Sequence, residues 1–417
     1  MFQQLKNIYH LVTALIFQAW YGLPARKLKV IGITGTDGKT TTTSLIHHVL
    51  KTAGKQVSSI TSVGAYIAGQ QMDTGFHVTT PDPHEIPKYM AQAVKHGDEY
   101  FVLEITSHAL DQYRIAGIQL VVAGITNITH EHLHYHKTFN SYVHAKSKIA
   151  TYAQKTYINA DQPEVAQKIR TYAPKATLIT FGRIQKADLS RQIETEAGIY
   201  LEEFNKYNFL LAYGMCRELG VPDEVFMQAC QTFTSPPGRM EVLYDEDFTV
   251  VSDFAHTPSG LEAALPAVLQ KFPHRSRLIH VFGAAAFRDN DKRPAMGRIS
   301  ATHANVIILT EEDYRTEDPE HIFAMLAQGI EEKGFREIHP ETAKEHIPNR
   351  CYMKILNREQ AIAKAIEMAG NTDIIMITGK GVEKSLCRGK KEESYDEHAQ
   401  VKQSIINRNN STHISLA

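Results

Sequence analysis

The residues best suited to chemistry lie at Gly35-Thr36-Asp37-Gly38-Lys39-Thr40-Thr41, between a β-branched run, Val30-Ile31-Gly32-Ile33-Thr34, and an apolar-periodic stretch that reads as a helix. Glycines in such a turn let backbone N–H groups curl around phosphate oxygens, and the helix N-terminus adds its dipole. In this arrangement Lys39 reaches the β- and γ-phosphates of a nucleotide, and the Thr40 hydroxyl ligates Mg²⁺. The strict phosphate-loop spacing fails, because Ile33 stands where the first glycine belongs. A structural glycine turn is the competing reading. The strand before and the helix after favour the phosphate loop.

Elements that could position this loop follow along the chain. From Lys27 onward, short β-branched runs alternate with helical stretches, the pattern of a parallel sheet covered by helices. Strands are expected at residues 28–34, 100–105, 120–126, 156–159 and 177–181, with helices from Lys39 to before Gly54 and over 139–151. Residues 204–234 turn helical, and Thr234-Ser235-Pro236-Pro237-Gly238 is the expected domain boundary. A second alternation follows, with strands at 249–253, 278–283, 306–310 and 374–378 and helices at 258–269, 294–303 and 358–368. The expected class is α/β: a P-loop-containing central parallel-sheet domain at 27–235 and a smaller Rossmann-like C-terminal α/β domain at 236–405. The polar tail, 406–417, is expected to fray.

At 417 residues the chain needs two or three domains, and a net charge of −1 gives no electrostatic reason to expect nucleic acid as a partner. Cys216, Cys230, Cys351 and Cys387 show no metal or redox spacing and read as reduced thiols of a cytoplasmic protein, expected to be a monomer. Residues 1–26 form one amphipathic helix, with Ile8, Leu11, Val12, Leu15, Ile16, Ala19 and Trp20 on one face. Two readings stand for it. The helix packs on the next domain, or it makes peripheral contact with a membrane, aided by Lys6, Arg26, Lys27 and Lys29.

Further motifs extend the pattern: Thr79-Thr80-Pro81-Asp82-Pro83, the stretch from Glu104 to Gln112, Asn127 through His136, Pro237-Gly238-Arg239-Met240-Glu241, and Asp253 through Pro258. Phe287-Arg288-Asp289, Lys292-Arg293-Pro294 and Gly379-Lys380-Gly381-Val382-Glu383 complete it. In this order, the set resembles the Mur ligase family, and within it the UDP-N-acetylmuramoyl-tripeptide synthetases, which add the third residue of the peptidoglycan stem peptide. The resemblance runs from about Lys27 to Ala399. It implies an ATP- and Mg²⁺-dependent ligase that phosphorylates the D-Glu carboxylate of a muramoyl-dipeptide and lets an amino acid, expected to be meso-diaminopimelate, attack the acyl phosphate.

By the same resemblance, Thr40, Glu104, His132 and Lys146 hold metal, with Lys146 carbamylated and Lys148 its rival for that position. Catalysis is assigned to Lys39, Lys146, His132 and Arg288. The nucleotide is assigned to Gly35 through Thr41, Asn127, Arg239, Asp253 and His256. Thr79, Thr80, Ser107, Gln112 and Arg114 would take the nucleotide-sugar peptide, and Arg288, Arg315, Gly379 and Glu383 the amino acid. Asn208 also falls in a family motif.

Four departures set this chain apart. The UDP-gripping domain that the family carries before the loop is replaced by the short N-terminal helix, so UDP is held differently, a partner supplies the grip, or the substrate carries another head, such as a lipid. The segment from Phe181 to Phe204 is shorter than the family's. Glu131-His132-Leu133-His134 stands where Asp-His-Leu-Asp is usual, and Glu312-Asp313-Tyr314-Arg315 replaces Asp-Asn-Pro-Arg. Lysine, ornithine or another amine therefore stays open beside diaminopimelate. A ligase with another acyl donor and a non-catalytic ATP-binding switch are the alternative functions.

Overall fold

The computed structural model describes residues 2–72, 79–287, 289–342 and 348–415. Two compact units divide it, Met1–Pro236 and Pro237–Ala417.

In the N-terminal unit the strands are β1 (Lys29–Thr34), β2 (Val57–Thr61), β3 (Gly64–Ile67), β4 (Gln70–Met72), β5 (Tyr100–Glu104), β6 (Leu120–Ile125), β7 (Thr156–Asn159) and β8 (Leu178–Phe181). Their order is β4-β3-β2-β5-β1-β6-β7-β8. Strands β2 to β8 in this order run parallel, and β3 and β4 add an antiparallel hairpin at one edge. Alternation along β1 explains how both faces become covered. Val30 joins one cluster with Ile86 and Met90 of helix Glu85–His96 and Tyr142 and Val143 of helix Phe139–Ser147. Ile31 and Ile33 join the other, with Leu45, Ile46 and Val49 of helix Lys39–Thr52 and Leu210 and Leu211 of helix Glu203–Glu218. The expected strands are present, but β2 and the hairpin were not expected. Val57-Ser58-Ser59-Ile60-Thr61 reads as polar, yet every residue of it is buried, with Ser58 Oγ donating to the buried Asp98 carboxylate.

The C-terminal unit holds β9 (Glu241–Asp245), β10 (Thr249–Asp253), β11 (Arg277–Phe282), β12 (Val306–Leu309), β13 (Arg336–Glu337), β14 (Cys351–Lys354) and β15 (Asp373–Thr378). They lie in the order β13-β14-β12-β11-β15-β10-β9, parallel except for β9 at the edge. A small hairpin, β16 (Ser385–Arg388) and β17 (Lys391–Ser394), follows.

Both ends of the chain are helical. Helix Glu397–Ser415 takes in the segment from 406, expected to fray, as far as residue 415. Val401 and Ile405 pack on the core of the second sheet, Arg408 lies 4.6 Å over the Phe248 ring, and the Glu397 carboxylate is bonded to Arg358 at 2.7 Å, so tertiary contacts outweigh the polar composition. At the other end, helix Phe2–Trp20 forms and packs on the N-terminal unit, through a face other than its apolar stripe. Ile8, Val12, Leu15, Ile16 and Trp20 are exposed, and His10, Ala14 and Gln18 are buried instead.

Candidate active site

The loop after β1 is shaped by contacts that tolerate only glycine at two points. Gly38 caps helix Lys39–Thr52 at φ 81°, and a Cβ there would stand 2.1 Å from Asn208 Oδ1. A Cβ on Gly35 would stand 1.8 Å from Thr126 Oγ1. Thr126 Oγ1 donates to the Asp37 carbonyl at 2.6 Å, and the Asn127 amide spans Asp37, accepting from its N–H at 3.0 Å and donating to its carbonyl at 3.2 Å. The loop is thus clamped from the end of β6. Asn127 is engaged on loop backbone here, bracing the turn that leads into helix Lys39–Thr52. Lys39 Nζ folds back to the Thr36 carbonyl at 2.8 Å.

Beside the loop, Glu104 ends β5 with only 1% of its surface exposed. Its carboxylate accepts from Thr40 Oγ1 at 3.0 Å and from the Ser62 N–H at 3.0 Å, while Ser62 Oγ lies 2.8 Å from Thr40 Oγ1. This buried set of hydroxyl and carboxylate oxygens suits a hard cation such as Mg²⁺. Ser62 carried no signal in the sequence, since it lies in a turn beyond an unexpected strand.

Lys146 is buried in helix Phe139–Ser147, its Nζ 2.6 Å from the Gly35 carbonyl and 4.7 Å from the centre of the Tyr142 ring. Burial, reinforced by Lys39, lowers its pKa well below the usual lysine value against the opposing pull of Asp37, Glu104 and Glu131. The same Tyr142 places its hydroxyl 3.2 Å from Thr36 Oγ1. Lys148 points elsewhere: it pairs with Asp111 at 2.8 Å and remains partly exposed. The structure thus separates the two lysines, placing only Lys146 against the loop.

A histidine-rich corner completes this side. His132, at φ 56°, caps the short helix Leu133–His136. His108, His132 and His134 offer nitrogen atoms that all lie within 4.8 Å of one another, a group that could hold a metal ion. His134 was not among the expected site residues. His136 accepts or donates at 3.0 Å with Ser107 Oγ, and burial pushes its pKa down to about 4.

The residues assigned to the peptide substrate gather in one bonded neighbourhood. Thr80 Oγ1 receives the Thr106 N–H at 2.9 Å and donates to the Glu104 carbonyl at 3.1 Å. Arg114 donates to the Thr80 carbonyl at 3.2 Å and to Gln112 Oε1 at 3.1 Å, and pairs with Asp82 at 3.3 Å. Gln112 donates to the Tyr135 hydroxyl at 3.3 Å. Thr79 stands half-buried beside Thr80.

In the C-terminal unit, Asp253 ends β10 and accepts the Met240 and Ala255 N–H groups, both at 2.8 Å. Arg239 lies 4.5 Å over the Phe254 ring, and His256 Nδ1 is 2.8 Å from the Phe254 carbonyl. Glu383 pairs with Lys380 at 2.6 Å, and Asp313 holds the same ammonium at 3.0 Å. Burial works against the Lys380 ammonium, but Glu383 and Asp313 outweigh it and raise its pKa. Gly379 sits against Glu312, whose oxygen would lie 3.0 Å from a Cβ there; burial pushes the Glu312 carboxyl up to about 7. Arg315, at φ 49°, donates its N–H to the Cys387 carbonyl at 3.0 Å. Arg288 lies outside the described residues.

Residues 33–215 match the Mur ligase middle domain, and residues 238–381 match the Mur ligase, glutamate ligase domain. The UDP-N-acetylmuramoyl-L-alanyl-D-glutamate–2,6-diaminopimelate ligase of Clostridium botulinum is 32% identical over 413 residues, covering 94% of this chain and 81% of its own length. A solved structure of a UDP-N-acetylmuramoyl-L-alanyl-D-glutamate–2,6-diaminopimelate ligase aligns with a TM-score of 0.58 at 26% identity, over 97% of this chain and 83% of that one. Folylpolyglutamate synthase of Mycobacterium tuberculosis complexed with ADP shares the fold, with a TM-score of 0.64 at 17% identity over 88% of this chain and 91% of that one.

Proposed function

The chain belongs to the Mur ligase family and is an ATP-dependent carbon–nitrogen ligase, and we propose that it joins the D-Glu carboxylate of a muramoyl-dipeptide to meso-diaminopimelate in peptidoglycan synthesis. The reading is carried by one observation: a buried Lys146 against the Gly35 carbonyl, beside a phosphate loop whose Thr40 touches the buried Glu104. Relatives that share most of the chain's length bear the diaminopimelate ligase name. A carboxylate is a poor acyl donor, so the γ-phosphoryl group of ATP first moves onto it. The amine then attacks the acyl carbon, and phosphate leaves with the C–O electrons as the C–N bond forms.

Positioning and charge neutralisation are the protein's contribution. The loop from Gly35 through Thr41 and the Lys39 ammonium hold the nucleotide phosphates. Thr40 and Glu104, with His132, would hold Mg²⁺, which would supply neutralisation of charge on the phosphate oxygens. Lys146, whose burial favours the neutral amine, would add CO₂ and release a proton to become a carbamate, an anionic oxygen donor. Thr79, Thr80, Ser107, Gln112 and Arg114 take the dipeptide, with Arg114 exchanging Asp82 for the substrate carboxylate. In the C-terminal unit, Arg239, Asp253 and His256 serve the nucleotide, and Arg315, Gly379 and Glu383 the amino acid. The reaction is placed in the cytoplasm, with the protein as a monomer.

Incubation with ATP, Mg²⁺, UDP-N-acetylmuramoyl-L-alanyl-D-glutamate and a panel of amines, read by mass, tests this. A diaminopimelate product is expected. ATP binding without an amide product from any amine would refute the proposed acyl donor.

A further inference from the structure

Helix Phe2–Trp20 is turned in the sense opposite to that of a surface helix in water. Its inner face carries His10, Ala14 and Gln18, one turn apart and buried. Both ring nitrogens of His10 and both amide atoms of Gln18 lack a hydrogen-bond partner among the described residues. Its outer face carries Leu5, Ile8, Val12, Leu15, Ile16 and Trp20, all exposed, Trp20 by 80%. The orientation is held by specific contacts: Gln3 Nε2 donates to the Tyr135 hydroxyl at 2.9 Å, Asn7 Nδ2 donates to the Asp111 carbonyl at 3.1 Å, and the Phe17 ring lies 5.8 Å from His84. Burying polar groups while leaving aliphatic ones in water is unfavourable on both faces. The balance reverses once the outer face leaves water.

Charge identifies what covers it. No acidic residue occurs before Asp37, whereas Lys6, Arg26 and Lys27 are exposed on the helix or just beyond it. A long apolar face with a tryptophan near its end and cations beside it is the make-up of a helix lying in the headgroup region of a bilayer. Among the described residues no helix is long and apolar enough to cross a membrane, which leaves lying on one.

We propose that the outer face of helix Phe2–Trp20 seats the protein on an anionic lipid bilayer. Its aliphatic side chains enter the headgroup boundary, and Lys6, Arg26 and Lys27 meet the acidic headgroups. The inner contacts to Asp111 and Tyr135 adjoin Gln112 and Arg114, so the acyl-donor subsite is carried at the membrane surface. That consequence rests on the ligase reading; the docking does not.

Trp20 is the sole tryptophan of the chain, so the full-length protein carries its own probe. Titration with vesicles of phosphatidylcholine and phosphatidylglycerol should shift its emission to the blue, make it quenchable by brominated acyl chains, and carry the protein into the vesicle pellet. Rising salt should weaken this binding, and Lys6→Ala, Arg26→Ala or Lys27→Ala should each weaken it roughly five-fold. Ile16→Asp should abolish binding while its circular dichroism and its ligation of the soluble donor without vesicles stay unchanged. An unshifted emission with anionic vesicles at low salt would overturn the proposal. So would equal binding to pure phosphatidylcholine, or a vesicle-free protein that sediments as a dimer with Trp20 already blue-shifted, which would assign the face to a second copy. Vesicle binding without any ligation would sink the ligase reading and leave the docking standing.

Discussion

Replacing Lys146 by alanine tests the site where sequence and structure bear on it most directly. In the folded protein the Lys146 amine donates to the Gly35 carbonyl at 2.6 Å and lies 4.7 Å from the Tyr142 ring centre. Its removal leaves a buried carbonyl without that donor, a cost of about 1–3 kcal/mol. Relief of the desolvation of a buried amine offsets part of this, so the fold should survive. Loss of an anionic group formed on Lys146 should lower kcat about 10²–10³-fold, the scale for deleting one preorganised charge-stabilising group. Amide product would be followed by mass under saturating substrates, with folding checked by circular dichroism. Formate or acetate should restore part of the rate to Lys146→Ala, and removal of CO₂ should slow the unmodified protein but not the variant. Lys148→Ala is the control, because its half-exposed pair with Asp111 contributes at most about 1 kcal/mol. A Lys146→Ala rate within about two-fold of the unmodified protein would refute the reasoning on its scale. So would indifference of the unmodified protein to CO₂ removal.

Three other perturbations follow from the geometry. Gly38→Ala places a methyl 2.1 Å from Asn208 Oδ1 at φ 81°, so ATP affinity should fall by about 5- to 150-fold, equivalent to ~1–3 kcal/mol of local strain; calorimetric titration showing unaltered affinity would contradict the loop geometry. Arg358 and Glu397 form an ion pair with both side chains 0% exposed, and Arg358→Met should cost about 3–5 kcal/mol by leaving the buried carboxylate without its cation, held only by the Ser252 and Tyr395 hydroxyls. Its thermal midpoint should drop by roughly 6–20 °C, and an unchanged midpoint would show that the ion pair does not anchor the last helix. Burial holds the His280 imidazole down at about 3 from an ordinary 6.5, between Ser300 and Thr378. Between those pH values the unfolded chain binds the extra proton, so stability falls as pH falls, with a slope approaching ~1.4 kcal/mol per pH unit. Hydrogen exchange of the β11 amides should therefore quicken from pH 6.5 to 5 after correction for intrinsic rates, and His280→Gln should flatten that dependence.

The sequence by itself determined what depends on short-range spacing. A glycine turn between a β-branched run and a periodic helix was legible, because strand, turn and helix each follow from local pattern. The alternation of elements led to two α/β sheets for the same reason. Strands such as Val57–Thr61 and Cys351–Lys354 escaped notice because their burial depends on partners far along the chain. For Ser58 the partner is Asp98, which makes a polar residue acceptable inside a sheet.

Tertiary structure alone decided which candidates meet. Lys146 and Lys148 are the same residue type two positions apart, and on a helix that spacing turns them to different sides. One reaches Gly35 and the other Asp111. Thr40, Ser62 and Glu104 come from three separate segments, and only the β2-β5-β1 neighbourhood brings their oxygens together. The N-terminal helix shows the same limit, since periodicity revealed its apolar stripe but not the direction in which it points. Orientation is set by the partner the opposite face finds, and Gln3 and Asn7 find theirs at Tyr135 and Asp111, more than a hundred residues away.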